Sequence, residues 1–161
     1  MRIVVISDTH QPRGSRALPE RCVAELRAAD LILHAGDVVS AGFLEELRAF
    51  GPLEAVHGNM DDVELRARLP ARRVVEAGGA RIGMVHDAGP AAGREARLAA
   101  AFPACAAVVY GHTHVPQVER HGGAWILNPG SPTERRRAPN RGLILLDVDG
   151  GVLEPQFVAL A

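Results

Sequence analysis

The sequence has no lysine, and all 18 of its basic residues are arginine. This absence excludes mechanisms that need a catalytic lysine or the lysine of a phosphate-binding P-loop. Cysteine is also scarce, since Cys22 and Cys105 stand alone in apolar stretches and neither has a CxxC partner. We therefore expect two buried, reduced thiols and a cytoplasmic location.

Long apolar segments and an excess of positive charge are missing as well. No segment approaches the roughly 18 apolar residues of a membrane helix, and residues 3–6 are too few for the apolar part of a signal peptide. The formal net charge is −1, which gives no electrostatic attraction to duplex nucleic acid or to an acidic membrane. We expect neither as a partner, whereas a small phosphorylated substrate fits, because a bound metal can supply positive charge locally.

The apolar pattern predicts a single domain over residues 1–161 in which strands alternate with helices and are then followed by strands alone. Buried strands are predicted at 3–6, 31–33, 53–57 and 106–110. Helices are predicted at 16–29, 41–50, 62–69 and 91–101. A hairpin over 73–85 and strands near 116–120, 124–127, 142–147 and 152–159 complete the prediction. This order predicts an α/β fold, a four-layer α-β-β-α sandwich of two packed mixed sheets flanked by helices.

Side chains that can bind metal follow the ends of five predicted strands. They are Asp8, His10, Asp37, Asn59, His86, His112 and His114. In α/β sheets ligands bind beyond the carboxyl ends of strands, so we expect these side chains to converge. Oxygen and imidazole ligands without thiolate suit Mn²⁺, Fe²⁺, Zn²⁺ or Ni²⁺. Seven ligands are too many for one ion with an open position, which predicts two ions that share one carboxylate.

Each of these residues also has a purely structural interpretation when it is considered alone. Asp8 can cap a following helix, and Asn59 can form a turn. His86 can be a solvated loop residue. His112 and His114 would diverge if their segment were extended, because side chains alternate along a strand.

Several other polar residues are left outside the predicted metal set. His34 and His57 are expected to pack or to donate hydrogen bonds to the ligands, and His121 is expected to be exposed in a turn. For residues 128–131 we favour a plain turn, and support of the metal site is the alternative. The arginine run at 135–137 predicts a solvated loop, with contact to a substrate phosphate as the alternative.

Five short motifs follow one another along the chain: Asp-x-His, Gly-Asp, Gly-Asn, a lone His and Gly-His-x-His. In this order they resemble the motifs of the calcineurin-like metallophosphoesterase superfamily. Within it the chain is similar to the small bacterial and archaeal phosphodiesterases of the YfcE type, from position 8 to the loop at 128–131. The resemblance implies two divalent ions per chain, Mn²⁺ before Ni²⁺, Fe²⁺ or Zn²⁺, and a homodimer as an option. It implies a first metal on Asp8, His10 and His114, a second on Asn59, His86 and His112, and Asp37 between them.

The activity that the resemblance implies is a metal-dependent phosphodiesterase that hydrolyses small or nucleotide-like diesters through a dinuclear site and a bridging hydroxide. The alternatives are a phosphomonoesterase or dinucleoside-polyphosphate hydrolase, and a non-catalytic metal-binding scaffold.

Two positions depart from the superfamily pattern. Met60 stands where many members have a histidine that assists the leaving group, and Asp87 with Ala88 replaces a common Gly-His. Met60 cannot transfer a proton, so leaving-group protonation must come from water, from Asp61, or not at all. We predict catalytic roles for Asp37, Asn59 and Asp61. The absence of a histidine at position 60 favours substrates with good leaving groups.

Overall fold

The computed structural model describes residues 1–161 as ten strands and four helices. The strands are β1 (Arg2–Ile6), β2 (Leu31–His34), β3 (Leu53–Ala55), β4 (Arg72–Ala77), β5 (Ala80–Val85), β6 (Ala107–Val109), β7 (Gln117–His121), β8 (Ala124–Asn128), β9 (Arg141–Asp149) and β10 (Val152–Leu160). The helices are α1 (Glu20–Ala28), α2 (Ala41–Arg48), α3 (Val63–Arg68) and α4 (Arg94–Ala101).

The strands form two five-stranded mixed sheets. The first has the order β10-β9-β1-β2-β3, and the second has the order β4-β5-β6-β8-β7. In the first sheet β1, β2 and β3 run parallel, and β9 pairs antiparallel with β1. In the second sheet β5, β6 and β8 run parallel. Parallel strands at the centre of both sheets therefore deliver their following loops to a common edge.

The two sheets pack against each other, and helices cover their outer faces. Side chains alternate along β1, so Ile3 and Val5 enter the core between the sheets, whereas Val4 and Ile6 pack with Leu26 of α1 and with α2. On the other side Leu98 of α4 packs on the outer face of the second sheet. This arrangement confirms the predicted α-β-β-α sandwich, whose central strands are apolar because both of their faces are buried.

Every predicted element forms, and its boundaries lie within about three residues of the predicted ones except at the start of α1. Periodic apolar residues predict a helix from position 16, but α1 begins at Glu20, after Pro19 at the N-cap. Proline has no N–H and restrains the residue before it to extended backbone, so the helix begins after it. None of the four helices is long and apolar enough to cross a membrane.

Candidate metal centre

The loops after β1, β2, β3, β5 and β6 converge at one edge of the sandwich and bring the seven predicted ligands together. Two clusters of side chains result, and one carboxylate lies between them. The first cluster is deeply buried, with Asp8 and His10 at 0% and His114 at 1% exposure. In the second cluster Asn59 and His112 are exposed. The centre therefore has a closed half and a half that is open to solvent.

The closed half consists of Asp8, His10 and His114. The Nε2 atom of His114 lies 3.3 Å from Oδ1 of Asp8, and Nε2 of His10 lies 3.9 Å from the same oxygen. The two imidazole rings meet edge to face, with centroids 5.2 Å apart. Three potential ligand atoms thus lie within one coordination sphere, which is the arrangement that a cation requires.

The open half consists of Asn59, His86 and His112. The Oδ1 atom of Asn59 lies 3.0 Å from Nε2 of His86 and 3.0 Å from Nδ1 of His112. The rings of His86 and His112 also meet edge to face at 5.2 Å. The Nδ1 atom of His86 pairs with the carbonyl of Ala35 over 2.7 Å, which directs its Nε2 atom toward the centre.

Asp37 joins the two halves. Its Oδ2 atom lies 3.1 Å from Nε2 of His10 and 3.3 Å from Nε2 of His86, one histidine from each half. Its Oδ1 atom accepts a hydrogen bond from the backbone N–H of Met60 over 2.8 Å. Asp8, Asp37 and His86 also form a second group of potential ligand atoms that lie close together.

The backbone is left-handed at five of the seven predicted ligands. The φ angles are positive at Asp8 (54°), His10 (48°), Asp37 (59°), His112 (69°) and His114 (59°). Non-glycine residues rarely adopt this conformation, although Asp and His adopt it more readily than most. Left-handed turns at His112 and His114 change the direction of the chain, so the two side chains do not diverge as they would in an extended segment.

The electrostatics of the centre favour positive charge. Burial opposes ionisation of Asp37, but hydrogen bonds from His10 and His86 hold its pKa well below the ordinary range. Burial likewise opposes protonation of His86, but Asp37 and Asp8 raise its pKa to about 9. Two buried carboxylates with no arginine partner need a counter-charge. The Nε2 atom of His114 faces Asp8 and is buried without a hydrogen-bond partner, so the donor set fits divalent cations.

Asp61 supports the centre from behind. Its carboxylate accepts hydrogen bonds from the backbone N–H groups of Asp37 (3.2 Å), Val39 (2.7 Å) and Gly58 (2.6 Å). These contacts tie the loop after β2 to the loop after β3 and hold Val39 at a φ of 92°, which is unfavourable for a β-branched residue. Both oxygens of Asp61 are engaged and the residue is 6% exposed, which is the geometry of a positioning residue. Burial raises the pKa of Asp61, and its role as a proton donor stays a prediction.

The loop at 128–131 lies against the ligand loops and is more than the plain turn that we favoured. The Asn128 side chain donates to the carbonyl of Gly111 and to Thr113 Oγ1 over 3.0 and 3.1 Å. Ser131 Oγ donates to the carbonyl of Asp8 over 2.7 Å. This loop therefore fixes the backbone on both sides of the closed half.

His34 is fully buried behind the ligand loops. Its Nδ1 atom accepts from the backbone N–H of Gly36 over 3.2 Å, so its Nε2 atom carries the proton and faces Thr9 Oγ1 at 3.0 Å. Burial lowers the pKa of His34 to about 4, and the ring is neutral at physiological pH. It links the loops after β1 and β2, as the expected packing and hydrogen-bonding role requires.

Glu134 is a site residue that the sequence analysis missed. Its Oε2 atom lies 3.4 Å from Nδ1 of His10, on the side of the ring opposite the centre. Burial favours the neutral carboxyl, but the charges of Arg136 and Arg16 hold the pKa of Glu134 below its ordinary value. Position 134 precedes an arginine run in an irregular loop, and no strand-end pattern marks it.

A pocket of about 260 Å³ opens beside the exposed half of the centre. Its lining includes Asn59 and His86, together with His57, Arg66 and Asp87. The Arg66 guanidinium donates to the backbone carbonyls of Asn59 and Asp61 and forms no ion pair with a carboxylate. A positive charge that is not neutralised by a carboxylate therefore stands next to the candidate metal ligands.

Comparison with known proteins identifies the family. Residues 1–151 match the family model of the calcineurin-like phosphoesterase superfamily domain. The chain belongs to this superfamily. A probable metallophosphoesterase of Methanothermobacter thermautotrophicus is 34% identical over 160 residues, which cover 98% of this chain and 92% of the relative. Superfamily members bind divalent metals, and phosphoester hydrolysis is the activity class of the family.

Solved structures share the fold over almost the whole chain. Wild-type Vps29 from Entamoeba histolytica, complexed with Zn²⁺, has a TM-score of 0.79 at 23% identity. The matched region covers 99% of this chain and 99% of that chain. A structure described as a novel archaeal phosphodiesterase has a TM-score of 0.77 at 20% identity, with 99% of this chain and 100% of that chain covered. At these identities the similarity concerns the fold alone.

Proposed function

We propose that the chain is a metal-dependent phosphodiesterase that acts on small or nucleotide-like phosphodiesters. The observation that carries the proposal is the shared position of Asp37, whose Oδ2 atom lies within 3.3 Å of one histidine from each half. Two divalent cations close together need an anion between them, and Asp37 would supply it. Oxygen and imidazole ligands without thiolate suit Mn²⁺, Fe²⁺, Zn²⁺ or Ni²⁺, and the family resemblance makes Mn²⁺ our first choice.

Each half contributes its own ligands to the proposed dinuclear centre. Asp8, His10 and His114 would hold one cation, and Asn59, His86 and His112 the other. When bound, the cations supply Lewis-acid activation of water and of the phosphoryl group. Asn59 needs no charge for this role, because its carbonyl oxygen is a sufficient ligand.

The pocket beside the open half is the proposed place for the rest of the substrate. Arg66 would bind a phosphate oxygen, since its guanidinium is oriented by two backbone carbonyls and lacks a carboxylate partner. His57 and Asp87 line the same pocket. We assign leaving-group protonation to this pocket, and to His57 in particular, because the carboxylate of Asp61 is occupied by backbone N–H groups.

The test is hydrolysis of bis(p-nitrophenyl) phosphate by purified protein with Mn²⁺, compared with p-nitrophenyl phosphate. We expect turnover of the diester to exceed that of the monoester, and chelation to abolish both. Asp37→Ala and His112→Ala should lose activity, whereas His121→Ala, at the exposed end of β7, should retain it. Full activity of Asp37→Ala would overturn the proposal, and a metal content well below one ion per chain would favour a scaffold instead.

A further inference from the structure

Three buried polar atoms face one another behind the closed half, and none has a hydrogen-bond partner. They are Nδ1 of His10, Nδ1 of His114 and Oε2 of Glu134. The carboxylate oxygen lies 3.4 Å from the first nitrogen and 4.0 Å from the second. One carboxylate oxygen can accept two hydrogen bonds, so a small displacement of Glu134 would satisfy all three atoms together.

The opposite nitrogen of each ring faces the metal ligands. Nε2 of His10 lies 3.1 Å from Asp37, and Nε2 of His114 lies 3.3 Å from Asp8. A neutral imidazole carries one proton. If Nδ1 donates that proton to Glu134, the lone pair of Nε2 is directed into the centre, which is the tautomer that a metal ligand requires.

Glu134 is itself held in place by two other charged side chains. Arg16 lies 3.1 Å from its Oε1 atom, and Arg136 lies 3.5 Å from its Oε2 atom. The backbone N–H of Glu134 donates to Ser131 Oγ over 3.0 Å. Two guanidinium groups therefore keep the carboxylate beside the histidines, and the backbone contact positions the residue that carries it.

The open half has no equivalent carboxylate. Nδ1 of His86 is paired with the backbone carbonyl of Ala35, and His112 presents Nδ1 itself to Asn59. A carboxylate partner makes an imidazole a more basic ligand than a backbone carbonyl does. The two halves of the centre are therefore chemically unequal, although each supplies two histidines.

From these contacts we infer that Glu134 is a positioning residue that braces His10 and His114 together and makes the closed half the tighter of the two metal positions. This inference rests on the proposed dinuclear function. It assigns no contact between Glu134 and the metal or the substrate, because Glu134 acts through the two histidines alone.

Calorimetric titration of metal-free protein with Mn²⁺ tests the inference without measuring activity. The wild-type chain should bind in two phases of unequal affinity. Glu134→Gln should weaken the tighter phase by about 10- to 100-fold and leave the weaker phase unchanged. Glu154→Gln is the matched control, since Glu154 is exposed on β10 and lies in no ion pair. Glu134→Asp, which keeps the charge, should restore part of the affinity.

A second measurement needs no substitution and therefore does not depend on how Glu134→Gln folds. In Zn²⁺-loaded wild-type protein, nitrogen NMR of the histidine rings should show Nδ1 protonated and Nε2 metal-bound for both His10 and His114. Protonation at Nε2 of either ring would overturn the inference but not the proposed function. A Glu134→Gln titration curve that matches the wild-type curve would have the same consequence. A wild-type chain that takes up neither ion would overturn it together with the proposed function.

Discussion

Gly58 packs so closely against Asp37 that position 58 has no room for a side chain. A Cβ atom there would lie well inside the contact distance of Asp37 Oδ1, and 2.6 Å from the Asp37 backbone nitrogen. Gly58→Ala should therefore displace the carboxylate that joins the two halves. We expect about a 100-fold loss of diesterase activity, the typical effect of a small misplacement at a reacting centre. Activity assays and Mn²⁺ titration measure this loss.

Gly42→Ala is the control for that substitution. Gly42 lies in α2, and a Cβ atom there meets nothing within 4 Å. We expect unchanged activity and a stability gain of less than about 1 kcal/mol, because alanine is favoured over glycine in a helix and Gly42 lies in the first turn of α2. Equal activity in the two variants would show that Asp37 tolerates displacement.

Arg66 and Arg68 offer a matched test of the substrate pocket, since both lie on α3. Arg68 pairs with Glu45 and Glu64, whereas Arg66 lines the pocket. Arg66→Ala should raise KM for the diester about tenfold, the effect of losing one charge-assisted hydrogen bond. Arg68→Ala should leave KM unchanged. Equal effects of the two changes would refute a phosphate contact at Arg66.

His57→Gln tests the assignment of leaving-group protonation to the pocket. Loss of a general acid slows only those substrates whose leaving group needs a proton. We expect a tenfold or greater drop in kcat for alkyl diesters and little change for p-nitrophenyl diesters, whose leaving group is a stable anion. Rates measured over a series of leaving groups check this, and a uniform drop across the series would count against His57.

His34 should make the stability of the fold depend on pH. Its pKa in the folded protein is about 4, compared with 6.5 for the unperturbed side chain, because burial disfavours the charged ring. The unfolded chain therefore takes up a proton first as the pH falls. The contribution of His34 is complete above pH 6.5 and decreases by roughly 3 kcal/mol as the pH falls to 4.

Denaturation in the presence of a chelator, followed at several pH values, measures this dependence. His34→Gln should flatten the stability curve between pH 6.5 and 4. His121→Gln should follow the wild-type curve, because His121 is exposed at the end of β7. A His34→Gln curve with the wild-type slope would contradict the assignment of a neutral, buried ring.

Much of this fold follows from local sequence because the central strands have both faces buried. Such strands appear as short continuous apolar runs, and the polar residue that ends each run marks the edge of the sheet. Asp8 and Asp37 could be placed together on that basis. The start of α1 was misplaced because the apolar spacing of Leu18 outweighed the proline that follows it.

The supporting residues could not be predicted in the same way. Glu134 reaches His10 across more than one hundred residues of chain, and only the packing of the loop after β8 brings them together. Asp61 lies behind the centre, but the sequence does not distinguish an aspartate that donates a proton from a buried aspartate that accepts backbone hydrogen bonds. The difference between them is set by the three N–H groups around the carboxylate.

The left-handed backbone at five of the seven ligands has a thermodynamic consequence. Each such residue costs the folded state about 1 kcal/mol relative to a relaxed conformation. Glycine at position 112 would release that cost, so metal-free protein with His112→Gly should melt at a higher temperature, although it has lost a ligand. Stability and metal binding therefore oppose each other at this edge of the sandwich. Selection of metal-free variants for heat resistance alone would favour replacement of these ligands by glycine.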